Sequence, residues 1–139
     1  MDRKSAHNEN ESYINYKSAR MSHWNKIAGN LDRWDRFNAY YHRRLRDVVR
    51  SIVPSGQRVL EIGCGNGDLL ASLKPSYGVG VDFSAEMIKH AQKRHSDVKF
   101  IDADAHELET EDQFDYIILS DVVNEFWDVQ AVFQRILPL

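Results

Sequence analysis

The run Val59-Leu60-Glu61-Ile62-Gly63-Cys64-Gly65-Asn66-Gly67-Asp68 gathers the residue types of this chain that could hold a ligand. Glycines at alternate positions offer bare backbone, and two carboxylates, Glu61 and Asp68, flank them. Apolar Val59, Leu60 and Ile62 read as a short buried strand, and Asp68 opens a helix that runs on through Leu69, Leu70 and Leu73. A strand, a glycine turn and a helix in succession seat a ligand at the carboxyl end of a parallel strand. The acids bear on which ligand that is. A pyrophosphate needs the free amides and positive dipole of a helix N-terminus. Here Asp68 stands where the dinucleotide fingerprint Gly-x-Gly-x-x-Gly has its third glycine. Glu61 and Asp68 would repel a diphosphate and attract a cofactor that carries ammonium and sulfonium charge instead. Asp82 lies 19 residues after Gly63 and closes a second strand. A carboxylate at that point can accept both hydroxyls of a ribose, whichever nucleoside cofactor bears it. Phe83 and Met87 follow, and either pack on an adenine ring or belong to the core.

The glycine run resembles motif I of the class I S-adenosylmethionine (SAM) methyltransferases, Asp/Glu-x-Gly-x-Gly-x-Gly. Glu61, Gly63, Gly65 and Gly67 fill its four defined places, and Cys64 lies inside the same cofactor-binding loop. Phe100-Ile101-Asp102-Ala103-Asp104-Ala105 is similar to the family's Phe-x-x-x-Asp-Ala pattern. The resemblance implies that Asp104 takes the adenine amino group and that the backbone amide of Ala105 meets the ring, with Asp102 as the competing carboxylate. Phe114 to Asp121 resembles motif IV, which implies that Ser120 faces the methionine part of the cofactor. The stretch from Trp24 to Trp34 is similar to a leading segment that folds over the cofactor in many small-molecule methyltransferases. The resemblance runs from about residue 20 to the end. It implies SAM-dependent methyl transfer to a small molecule or a biosynthetic intermediate, in which the protein mainly aligns the acceptor and excludes water. No catalytic residue is assigned. The alternatives are a cofactor-binding module of a larger multidomain protein without turnover of its own and, less favoured, an NAD-dependent oxidoreductase.

The elements that must position these residues alternate along the chain. Met1 to about Ser12 is polar and aperiodic, and residues 1–20 are expected to form a loose tail. Residues 21–53 read as N-terminal helices, with Tyr41, Leu45, Val48, Val49 and Ile52 on one amphipathic stripe. Residues 54–139 read as the cofactor-binding core. Its strands are expected around Val59–Ile62, Tyr77–Asp82, Val98–Ile101 and Phe114–Ser120, the last buried on both faces. Ser84 and Asp128 are the expected caps of two of the intervening helices. Four such repeats predict an α/β, Rossmann-like three-layer sandwich with a mainly parallel sheet, and the resemblance implies the strand order 3-2-1-4. The family adds further strands after the fourth, so a core incomplete at Leu139 is expected. The fourth strand is then a bare edge and a route to self-association.

Bulk properties set bounds. With 139 residues, 42% of them hydrophobic and 28% charged, the chain is long enough for one ordinary globular core. Net charge is −3, divided between +5 on residues 1–50 and −8 on residues 51–139. That is no nucleic-acid footprint. The acidic body fits a cationic cofactor and a solvated acidic surface equally well. A single cysteine rules out an internal disulfide and suits a cytoplasmic protein. No apolar run approaches a membrane span. The six histidines show no metal spacing, so no metal is expected. Among them His106 is close to the adenine site and weakly placed to act as a base. Asn124 and Glu125 are weak candidates on the acceptor side.

Overall fold

The computed structural model describes the backbone of residues 3–139 and side chains from Glu9 onward; Met1 and Asp2 of the expected tail lie outside the described residues. From Arg3 the supposed tail is helical. Helix α1 covers Arg3–Ala28 and α2 covers Leu31–Ile52, with a break at Gly29-Asn30. The stripe that orders α1 is Tyr13, Tyr16, Lys17, Arg20 and Trp24, spaced for one helical face but polar and aromatic. Aliphatic periodicity therefore misses it. The spacing from Trp24 to Trp34 reads as one helical pattern. The chain instead turns there, and Ala28 and Leu31 bury against Met87 from either side of the turn.

The core consists of β1 (Arg58–Ile62), α3 (Asp68–Ser72), β2 (Tyr77–Asp82), α4 (Ala85–Arg94), β3 (Lys99–Asp102), β4 (Tyr116–Leu119) and α5 (Val129–Ile136), with a 3-10 turn at Val123–Glu125. All pairings are parallel, as the alternation predicts, and the order is β3-β2-β1-β4, as the resemblance implies. Val59, Leu70, Ile88, Ala91 and Phe100 fill one face of the sheet beneath α3 and α4. Leu60, Ile62, Val79, Val81, Val132 and Ile136 fill the other beneath α5. Alternate residues of β1 thus feed both cores, which explains its near-continuous apolar run.

Strand β4 departs from expectation. It is shorter than Phe114–Ser120, and all four of its residues are partly exposed. It has β1 on one side only, so burial on both faces is not reached. The two ends of the sheet differ in character. At the amino end, the Arg58 guanidinium lies 4.5 Å from the Tyr77 ring centroid, Tyr77 stacks on Phe114, and the Arg58 amide donates to Asp115. That end is stapled shut. At the carboxyl end, Ile62 is level with Val81 and with Leu119, so the next residues, Gly63, Asp82 and Ser120, come together at one edge.

Candidate functional site

Gly63 turns the chain out of β1 with φ +71°, and a Cβ there would stand 2.5 Å from Cγ2 of Val122. Only glycine lets the loop after β1 and the loop after β4 approach so closely. Gly65, at φ +53°, has nothing within 4 Å of its missing Cβ, and its amide donates to Asp82 Oδ2 at 2.9 Å. Asp82 Oδ1 accepts the Ser84 amide, also at 2.9 Å. One buried carboxylate therefore ties the glycine loop to the start of α4. Burial raises its pKa against the pull of those two amides, and Asp102 adds to the rise.

The acids of the glycine run do not crowd a free anion seat as expected. Glu61 is 3% exposed, and its Oε2 accepts the amide of Leu70 in the first turn of α3. Gly67, the N-cap of α3, has no side chain to do this, so Glu61 caps the helix from the preceding strand. Burial pushes its pKa up to about 8, against the Leu70 hydrogen bond and with help from Asp82 and Asp68. Asp68 is bridged by His95 at 2.8 Å and Arg94 at 3.0 Å, and its own amide donates to Asn66 Oδ1. Repulsion between charges is thus a smaller obstacle to a diphosphate than the occupation of the amides that such a ligand needs.

A cavity of about 400 Å³ opens over this edge, within the range of small-molecule sites. It brings together Glu61, Gly63, Cys64, Gly65, Asp82, Phe83, Met87 and Ser120 of the expected set. Met87 is at once core and cavity wall. Gly67 is not part of the wall; its α-carbon packs under the Phe100 ring. Cys64 is buried, and burial drives its thiol pKa well up, with Glu61 and Asp82 adding to the effect, so it is no nucleophile. Asp104 and Ala105 border a second space of about 40 Å³, which shares Gly63, Asp82 and Phe83 with the first. Although burial works to raise the pKa of Asp104, hydrogen bonds from Tyr13 and from the amide and ring of His106 hold it down at about 2. His106 gives Nδ1 to Asp104 at 2.7 Å, and its Nε2 accepts the Asp128 amide. Both ring nitrogens are engaged, which removes it as a base. Asp102 is not among the residues lining either space.

Residues 21–53 are expected from the sequence to form a lid over the cofactor, but the particular wall residues of α2 are not singled out there as such. Trp34, Asn38, Tyr41, His42 and Arg46 line the large cavity, and the Tyr41 hydroxyl donates to Asp121, which holds φ +54° at the end of β4. Glu125, read as a weak candidate, borders both spaces and accepts from Arg20 and Trp24. Among the described residues no group of acidic, histidine and cysteine side chains could hold a metal. Among the same residues no helix is long and apolar enough to cross a membrane.

A family model described as a methyltransferase domain matches residues 59–139, more than half of the chain. The chain belongs to the class I SAM-dependent methyltransferase family. This methyltransferase domain is 30% identical over 105 residues to demethylmenaquinone methyltransferase of Staphylococcus saprophyticus, a match covering 67% of the chain and 45% of the relative. It is 33% identical over 91 residues to a malonyl-[acyl-carrier protein] O-methyltransferase of Anoxybacillus flavithermus, covering 61% of the chain and 30% of the relative. The domain spans less than half the length of either. Magnesium protoporphyrin IX methyltransferase of Synechocystis with bound SAM superposes with a TM-score of 0.69 at 20% identity, over 86% of this domain and 69% of that chain. A SAM-dependent methyltransferase structure from Methanococcus maripaludis gives the same score at 24% identity, over 81% and 57%. At those identities the superpositions establish the shared fold.

Proposed function

We propose that the domain binds SAM across the carboxyl ends of β1, β2 and β4 and serves methyl transfer to a small-molecule acceptor. The observation that carries this is Asp82. It is a buried carboxylate at the end of β2, held by the amides of Gly65 and Ser84 and bordering a cavity of suitable size. Each oxygen already accepts one hydrogen bond and retains a second lone pair for a ribose hydroxyl. Gly63 and Gly65 would lie under the sulfur-bearing chain of the cofactor, with Ser120 facing its amino-acid part and Phe83 and Met87 beside the base. Bound SAM supplies a methyl group already activated by positive charge on sulfur. The residues of the domain then orient the acceptor against it and exclude water. The α2 wall, with Tyr41 and Asp121, faces the acceptor side. Methyl acceptors among the relatives' names range from quinone precursors to acyl carriers, which supports a small molecule or a biosynthetic intermediate without choosing one. The single cysteine, kept as a thiol, fits a reducing cytoplasm.

Calorimetric titration of the purified domain with SAM, its demethylated product S-adenosylhomocysteine and NADH tests the cofactor. Binding of the first two without the third is expected. NADH binding in their absence would overturn the assignment. A second reading is a cofactor-binding module that acts within a longer protein. Cofactor binding without methyl transfer to any acceptor class, restored in a longer chain, would support it.

A further inference from the structure

We propose that α1 is a plug at the base end of the cleft: Tyr13 and a seated adenine compete for Asp104, so the cofactor must displace the helix. This rests on the SAM reading above. Asp104 is the carboxylate expected to take an exocyclic amino group, and its hydrogen-bonding capacity is already committed. Its Oδ2 accepts from the Tyr13 hydroxyl at 2.7 Å and lies 3.3 Å from the Lys17 ammonium. Its Oδ1 accepts from the amide of His106 at 2.9 Å and from the ring at 2.7 Å. The space left between Asp104, Phe83 and α1 is about 40 Å³, room for a few waters, and no acceptor site on Asp104 is left for an exocyclic amino group. The helix and the base therefore exclude one another.

A second set of ties lies one turn further along. Arg20 is paired with Glu125, the Tyr16 hydroxyl donates to the Glu125 carbonyl at 3.0 Å, and Trp24 Nε1 reaches the same carboxylate at 3.5 Å. Tyr13 and Tyr16 both pack against Trp127. The closed arrangement is imperfect, because Arg20 Nε is buried without a hydrogen-bond partner. A helix held by polar ties, with one buried donor unsatisfied, is suited to leave at modest cost. A lid that closes on its ligand would be stabilised by the cofactor. A plug is destabilised by it, and apparent affinity falls by the fraction of molecules in which the site is open.

The two cases predict opposite signs. S-adenosylhomocysteine binding is measured by calorimetry on the wild type, on Tyr13→Phe, which keeps the ring and loses the hydroxyl, and on Arg20→Ala. Hydrogen exchange of the α1 amides in the wild type is followed with and without the same ligand. The plug predicts binding about three- to tenfold tighter in each variant, and faster exchange across Tyr13 to Trp24 on ligand addition. Wild-type binding with unchanged or weaker affinity in both variants, or slower or unchanged exchange, overturns the plug and leaves the cofactor site standing. Absence of binding in all three proteins overturns the cofactor site and the plug together.

Discussion

Burial changes the chemistry of Glu61. Its folded pKa of about 8 lies above the ordinary value of 4.5. The folded state therefore holds a proton that the unfolded chain has released across that window. Stability from this group is complete below about 4.5, falls as the pH rises, and is gone above about 8. Each pH unit of that window is worth roughly 1.4 kcal/mol, so the loss is on the order of several kcal/mol. Glu61→Gln keeps an acceptor for the Leu70 amide and removes the titration. Urea midpoints should therefore fall more steeply with pH in the wild type than in the variant, and parallel curves would refute the assignment. Asp82→Ala should weaken S-adenosylhomocysteine binding about ten- to a hundredfold, the worth of one charged hydrogen-bonding partner, read by calorimetry. Both acids are marked in the sequence by their places beside glycines and at a strand end. Their surroundings are not. Net charge counts Glu61 as an anion, and only the packing of β1 under α3 shows that it can be a protonated cap.

At the scale of elements, legibility follows the kind of contact. Helix α4 can be read from residues alone. Ser84 accepts the Met87 amide, and Met87, Ile88 and Ala91 bury as their spacing requires. Ser84→Ala removes that cap and leaves Asn25 Oδ1 without the donor it has at 2.6 Å. A loss of about 1 kcal/mol is expected, measured by chemical denaturation; no change would show that Ser84 caps nothing. Helix α1 is illegible by the same method because what holds it is distant in sequence: Asp104, Glu125 and Trp127 lie some 90 to 110 positions away. Hydroxyls and cations spaced along a polar helix look like a solvated face until the partner carboxylates are in view. The turn at Gly29-Asn30 is hidden for a related reason, since aromatic and aliphatic residues continue in phase across it. The parallel sheet, by contrast, follows from alternation and chain handedness, both present in the residues, whereas the strand order is legible only through the family resemblance.

Across the whole molecule, the amino end of the sheet is fastened by Arg58, Tyr77 and Phe114, and the carboxyl end is left to glycines and acids. The open side of β4 offers unpaired backbone for pairing with a second copy. Sedimentation velocity should show association rising with concentration, and one monomeric species throughout would rule out edge pairing. Cys64 lends the domain a use at this scale. Its sulfur sits behind the glycine loop, 2.9 Å from where a side chain on Gly80 would begin, and is shielded from solvent. A thiol-reactive dye can reach it only when the packing around the glycine loop loosens, so its labelling rate becomes a clock for local opening there. Since Cys64 lies in the loop that lines the large cavity, any ligand seated there should slow the clock, giving a binding assay that needs no knowledge of the acceptor.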